Sequence, residues 1–276
     1  MSWVAIAAPS RPAAEAGGAV AEGGGNAVDC AAAAALVALT MDVGLVSPTA
    51  GGFVTIWPAD AAPVVIDANA EMPGRAVGGD PASAREIWMS YGGGMHTVVG
   101  FGSVATPGAF AGLERAVIRH GNVTWRDVVE PARCHAEAGF PLRTVSRRYL
   151  EHSGEPIYGW HEPSRRLLFG HDGLLLQTGD PVVIPNLGDT LERIARFGAD
   201  EFYTGRIGKA VADAVVAGGG KVSREDMAAY RAVDRDPIII TMGGWRVATN
   251  PPPALGGAAL AAMVTGLQHD DPDHWV

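Results

Sequence analysis

The chain has 276 residues, 47% of them apolar, 18% charged and 37 of them glycine, with a formal net charge of −9. At this length about three-quarters of the unfolded surface can be buried in a large core. The acidic balance, with Arg147-Arg148 and Arg165-Arg166 as the only basic doublets, excludes a nucleic-acid binder. The low charge and the many glycines suit either backbone covered by a partner or a compositional bias of the genome.

Cys30 and Cys134 have no CxxC spacing and sit in apolar helical patterns, so both are expected to be buried free thiols. Met1–Ala8 has no basic start and its apolar run stops before Pro9, so no secretory leader is read and a cytoplasmic location is expected. The apolar run Cys30–Met41 lies between Asp29 and Asp42 and is too short to span a membrane.

In chain order, Val4–Ala8 reads as a short buried strand. A helix runs from about Pro12 to Glu22, Gly23-Gly24-Gly25 stops it, and Asn26 caps an alanine-rich helix. Gly51–Trp57 and Pro63–Asp67 form a hairpin. Thr106-Pro107-Gly108 leads into a helix ending near His120-Gly121, and Thr124 caps the next, ending near Gly139-Phe140-Pro141. Between Tyr149 and Gly179 the pattern weakens, predicting an irregular surface excursion. Helices return at Thr190–Phe197 and Gly205–Ala217. Pro237–Met242 and Trp245–Ala248 then flank a Gly-Gly turn, and Gly256-Gly257 opens a last helix. No repeat or linker divides the chain, so residues 1–276 are read as one α/β domain.

Most candidate chemical motifs fail on spacing. Gly219-Gly-Lys-Val-Ser223 is not a P-loop, Ser103 lacks the glycines of a nucleophile elbow, and the N-terminal glycines follow a helix rather than a strand. His269-Asp-Asp-Pro-Asp-His274 is read as a solvated acidic tail, so no metal and no cofactor are expected. Glu225-Asp226 lies at a helix start, where carboxylates favour the positive end of the dipole, and no catalysis is assigned to it. Tyr91-Gly-Gly-Gly-Met-His96 reads as a surface loop, with a substrate-facing lid as the alternative.

Six segments stand in one order along the chain: Gly24-Gly-Asn-Ala-Val-Asp29, Thr49-Ala-Gly-Gly-Phe53, Val104-Ala-Thr-Pro-Gly108, Gly198-Ala-Asp-Glu-Phe-Tyr-Thr-Gly205, Val222–Arg231 and Asn250-Pro-Pro-Pro-Ala-Leu-Gly-Gly257. Together they resemble the large subunit of the gamma-glutamyltransferases, members of the N-terminal-nucleophile hydrolases. The resemblance implies an αββα sandwich (α+β) completed by a second chain. It also implies an autoproteolytically processed heterodimer, whose small (beta) subunit carries an N-terminal Thr nucleophile, and a dimer of heterodimers as the larger assembly. No catalytic residue is then expected on this chain. Asn69, Glu71, Arg75 and His96 are the expected contacts to a small-molecule substrate.

The chain departs from the family pattern in two places. Asp67-Ala-Asn-Ala-Glu-Met-Pro73 has Ala70 where the family places a carboxylate-binding arginine. Charged hydrogen bonds contribute about 1.5–3 kcal/mol each, so a glutamyl head group would bind roughly a hundredfold or more weaker, and glutathione is not the expected substrate. Ala254-Leu255 stands where the family usually has two serines, and Trp275-Val276 closes a sequence shorter than the usual large subunit, from shortening, cleavage or truncation. Three readings follow: an amide-cleaving hydrolase or acyltransferase; a relative that cleaves a carbon–carbon bond in an alkyl-proline precursor during antibiotic biosynthesis; and a degenerate member that binds without catalysis.

Overall fold

The computed structural model describes residues 4–80, 83–242 and 244–267. Ser10 accepts the Ala13 N–H and starts α1 (Arg11–Glu22), with Pro12 in the first turn. Asn26 and Asp29 form a reciprocal capping box that opens α2 (Ala27–Met41). Asp29 also accepts the Asn122 N–H at 2.8 Å, tying the start of α2 to a turn 93 positions later.

β1 (Gly52–Ile56) and β2 (Val64–Ala68) form the expected hairpin, registered from Gly52↔Ala68 to Ile56↔Val64. β3 (Arg85–Met89) and β4 (Met95–Val99) form a second hairpin around a tight turn at Tyr91–Gly93. The loop expected at Tyr91–His96 is therefore partly strand. Tyr91 packs edge-on against Tyr149, with ring centroids 5.1 Å apart, which holds the turn on the body of the protein.

Next come α3 (Ala109–His120) and α4 (Trp125–Ala138), the latter opened by a Thr124–Asp127 capping box. β5 (Phe140–Pro141), α5 (Thr144–Ser153), a π turn at Gly154–Tyr158, α6 (Glu162–Leu168) and β6 (Pro181–Val182) follow, with β5 pairing β6. The excursion expected at Tyr149–Gly179 is thus largely helical. Leu150 and Leu168 are buried in the main core, anchors that the weak polar periodicity around them conceals. α7 (Leu187–Phe197), α8 (Asp200–Tyr203), α9 (Arg206–Ala217) and α10 (Arg224–Ala229) complete the helical body. The chain then runs through β7 (Val233–Arg235), β8 (Ile238–Met242), β9 (Trp245–Thr249) and α11 (Leu255–Leu267).

Three further expectations are corrected or left open. Val4–Ala8 belongs to no strand ladder, although its burial alternates residue by residue. Cys30 is buried whereas Cys134 is exposed, its thiol on the outer side of α4 near Glu130. The acidic stretch His269–His274 lies outside the described residues.

β7 joins β2 antiparallel, giving a three-stranded sheet ordered β1-β2-β7. α3 covers one face, where Ile56 and Ile66 pack with Ala116. Thr55 and Trp57 point to the other face. There the Thr55 hydroxyl donates to Asn250 Oδ1 at 2.8 Å, and the Arg246 guanidinium lies 5.1 Å from the Trp57 ring centroid. The β8–β9 hairpin therefore sits against this second face, and α11 packs on β8 and β9. The layers run helix, sheet, sheet, helix, so the chain is α+β. No described helix is long and apolar enough to cross a membrane.

α3 lies close on the sheet at Gly112, where an added Cβ would stand 2.2 Å from the Ala68 Cβ. Alanine favours a helix by about 1 kcal/mol over glycine, but overpacking costs about 1–3 kcal/mol. Gly112→Ala is expected to lower the urea midpoint, and adding Ala68→Gly to restore most of it.

Candidate functional site

The segment Asn69–Arg75 leaves β2 at its sheet end and carries three of the four expected substrate contacts. Asn69, Glu71, Gly74 and Arg75 are each held by a group distant in sequence. Asp67 accepts the Asn69 N–H at 2.9 Å through Oδ1 and the Arg235 Nε–H at 2.6 Å through Oδ2. The Tyr230 hydroxyl donates to the Asn69 carbonyl at 2.8 Å. Glu71 and Thr106 exchange two backbone hydrogen bonds, both 2.9 Å, as a single antiparallel bridge.

Asp226 fixes the far end. Its Oδ1 accepts the N–H groups of Gly74 and Arg75 at 3.0 and 2.9 Å, and its Oδ2 accepts the Ser223 N–H and hydroxyl at 2.9 and 2.7 Å. The carboxylate is wholly buried. Burial by itself would raise its pKa, but the hydrogen bonds from Ser223 and from the Arg75, Ser223 and Gly74 amides outweigh that, leaving it below the usual carboxylate range.

Neighbouring turns close on the same place. The Ala50 carbonyl accepts the N–H groups of Gly108 and Ala109, and a Cβ on Gly51 would stand 2.4 Å from the Ala70 nitrogen. A Cβ on Gly108 would meet the Tyr230 hydroxyl at 2.0 Å, so only glycine lets that hydroxyl reach Asn69. Tyr230 stacks on Tyr203 with centroids 5.3 Å apart and planes within 8°, and the Tyr203 hydroxyl donates to the Pro107 carbonyl at 3.0 Å. Burial pushes both tyrosine hydroxyls up, so they remain neutral donors. Four of the six sequence segments therefore meet at this platform; the turn before α2 and the proline segment hold other joints.

The platform carries a definite charge. The Arg75 guanidinium is 2.6 Å from Glu71 and 3.6 Å from Asp226. Hydrogen bonding to Glu71 holds its pKa above the ordinary arginine value. Asp67 is paired with Arg235. Asp67, Glu71 and Asp226 thus face two guanidinium groups, leaving one excess negative charge. Asn69 is exposed beside them, and Met72 is 84% exposed.

His96 is not brought to this platform. It stands on β4 opposite Trp88, with Nδ1 2.5 Å from Glu86. Asp226, Tyr203 and Tyr230 are the residues sequence reasoning left without a site role. The Ser223–Asp226 spacing signals the helix cap alone, and the two tyrosines lie in the quoted segments with nothing local to mark their hydroxyls. Among the described residues, no group of three His, Cys, Asp or Glu side chains forms a metal site.

The layered fold, with four of the six segments converging beside a sheet end, is of the N-terminal-nucleophile type, and the comparisons name the family. The family model described as Gamma-glutamyltranspeptidase matches residues 13–274, so the chain belongs to that family. It is 32% identical over 260 residues to the glutathione hydrolase proenzyme of Escherichia coli, covering 90% of this chain and 42% of that protein. It is also 32% identical to the acylase ACY 1 proenzyme of a Pseudomonas species, covering 90% of this chain and 44% of that one. Among solved structures, gamma-glutamyltranspeptidase from Pseudomonas nitroreducens complexed with L-DON superposes with a TM-score of 0.79 at 26% identity, over 99% of this chain and 82% of that one. The chain spans less than half the length of these curated relatives.

Asp226→Ala leaves the Gly74, Arg75 and Ser223 amides without their acceptor and is expected to cost about 3 kcal/mol at pH 7 in urea unfolding. Because the folded-state pKa is depressed, this stabilisation is present above the unfolded value of about 3.9 and fades as pH falls through the lower folded value. The difference between wild type and variant should therefore shrink in acid.

Proposed function

We propose that this chain is the large-subunit part of a gamma-glutamyltransferase-like hydrolase or acyltransferase, working with a second, smaller chain that begins with the nucleophilic Thr. The observation that carries this reading is an unfinished outer half. The second sheet layer is a lone hairpin exposing Ile239, Met242 and Trp245, and α11, a helix with no charged residue, leaves Leu255 86% exposed and Met263 59% exposed. A helix apolar all round belongs in an interior, and a lone hairpin is marginal in water. A companion chain that continues the sheet and covers α11 resolves both, and the relatives' printed description as proenzymes supports it.

In this reading the Thr hydroxyl attacks an amide carbonyl. The Thr α-amino group takes the hydroxyl proton and passes it to the leaving amine. Water or an acceptor amine then releases the acyl group from its ester. An α-amino group titrates near about 7.7–8.0, so a useful fraction is neutral at physiological pH. Backbone N–H groups of the companion would stabilise the oxyanion. This chain supplies one wall of the pocket, formed by Asn69, Glu71 and Arg75.

The charge of that wall selects the acyl group. Arg75 is neutralised by its two carboxylate neighbours, so no free guanidinium awaits an α-carboxylate. Intact-mass analysis of the expressed full-length product is expected to show two chains, the smaller beginning with Thr. A single uncut chain would favour a binding protein without catalysis. With the processed protein, an aliphatic acyl anilide lacking a carboxylate is expected to exceed a γ-glutamyl anilide in kcat/KM by at least tenfold. Glu71→Gln, which frees Arg75, should narrow that gap through KM. Cleavage of an alkyl-proline carbon–carbon bond with no anilide turnover would replace the amide reading.

A further inference from the structure

The rings of Phe101, Trp160 and His161 meet beside the β3–β4 hairpin, drawn from two distant parts of the chain and without a role in the platform. The Phe101 plane stands at 84° to Trp160 and 85° to His161, with centroids 6.0 and 5.7 Å away, and Trp160 lies 5.4 Å from His161. A Cβ on Gly218 would stand 2.3 Å from the Phe101 ring, so that ring is seated on the turn after α9. Trp160 is nonetheless 41% exposed. Beside these edge-to-face rings runs a cleft of about 310 Å³, lined also by Tyr158, Val98 and Val104.

Most polar atoms of the cleft are already engaged. The Tyr158 hydroxyl donates to the Gly44 carbonyl at 3.1 Å, and the Ser103 hydroxyl to the Gly100 carbonyl at 2.8 Å. The Ser164 hydroxyl shares a hydrogen bond with His161 Nδ1 at 3.0 Å. His161 Nε2 and the Thr97 hydroxyl have no partner among the described residues. An apolar space of this size with two free polar atoms suits a single flat ring bearing one polar substituent. Aromatic walls also attract cations. Here the Arg85 guanidinium lies 5.5 Å from the Trp160 centroid and forms no ion pair among the described residues. A second cation would meet that charge, so the ring that fits is uncharged.

The cleft adjoins the platform. Val104 lines it, and two residues further on Thr106 forms the bridge with Glu71. Two peptide steps separate Cα atoms by no more than about 7 Å. We propose that the cleft is a specificity subsite, holding an uncharged hydroxyaryl ring that the acyl group carries on a short aliphatic chain. The inference rests on the amide-cleaving reading above and names its acyl class. The ring belongs to the acyl side because Glu71 and Arg75 form the acyl wall and Val104 continues from it. Trp160 and Phe101 then determine specificity, with His161 and Thr97 within reach of the ring hydroxyl.

Binding and turnover on the processed two-chain protein test this separately. The binding probe is the methyl ketone of the para-hydroxyphenylbutanoyl group, which has no leaving group. In calorimetry it is expected to bind wild type at least about tenfold tighter than Trp160→Ala, with Trp160→Phe close to wild type. In turnover, para-hydroxyphenylbutanoyl methylamide should exceed butanoyl methylamide in kcat/KM by at least about tenfold, through KM. Trp160→Ala should erase most of that advantage. Ketone binding that Trp160→Ala does not weaken, or no ketone binding at all, would overturn the subsite whatever the turnover. A preference for butanoyl benzylamide that Trp160→Ala removes would move the ring to the leaving amine and equally overturn it. Ketone binding that depends on Trp160, with no amide cleaved, would uphold the cleft and overturn the amide reading alone.

Discussion

The Asp226 carboxylate is the joint on which the candidate site depends. It closes the first turn of α10 through Ser223, and with its other oxygen it holds two amides 152 and 151 positions away. A buried carboxylate is costly unless each oxygen is hydrogen-bonded, and here four donors share the load. The energy that keeps the charge buried is therefore the same energy that fixes the loop. Tyr230, one turn further along, continues the clamp to Asn69, and Tyr203 stacks beneath it. The C-terminal third of the chain thus sets the shape of a segment that follows the second strand.

The charge on that segment is a property of the assembly. Arg75 has the right chemistry to hold a carboxylate, and its distance from Ala70 in sequence is short. Glu71 accepts one of its N–H groups and Asp226 lies 3.6 Å away, and Asp67 and Arg235 neutralise one another. A negative head group entering here would meet a cluster with one excess negative charge, part of it on the buried Asp226. On the reading proposed above, such a wall suits acyl groups without a carboxylate.

The outer layers follow from the same economy of burial. α3 seals one sheet face because Gly112 lets it lie against Ala68. The opposite face receives only a hairpin and a helix without charges, and the free edge of β1 opens onto an alanine floor. A helix such as α2, apolar on nearly every side, is stable where it is surrounded. Its remaining uncovered stripe, Ala27, Ala31 and Ala35, lies between β1 and the segment Val4–Pro9.

What the residues determine locally is set within a few positions. The caps at Asn26 and Thr124 are legible because their bonds link neighbours two or three positions apart, and the β1–β2 hairpin because its two strands follow one another in sequence; the order of the six segments is read directly. The family follows from that order. The helices between Tyr149 and Leu168 escaped because a few buried leucines anchor a polar surface, and the exposure of Cys134 because the apolar pattern of α4 does not reveal which turn faces solvent. The union of Glu71 with Thr106, the two carboxylates around Arg75, the removal of His96 to a separate hairpin and the unpaired state of Val4–Ala8 were decided by tertiary structure alone. Each depends on which backbones lie side by side after folding, and that proximity is set by the packing of whole layers rather than by the preference of any single residue.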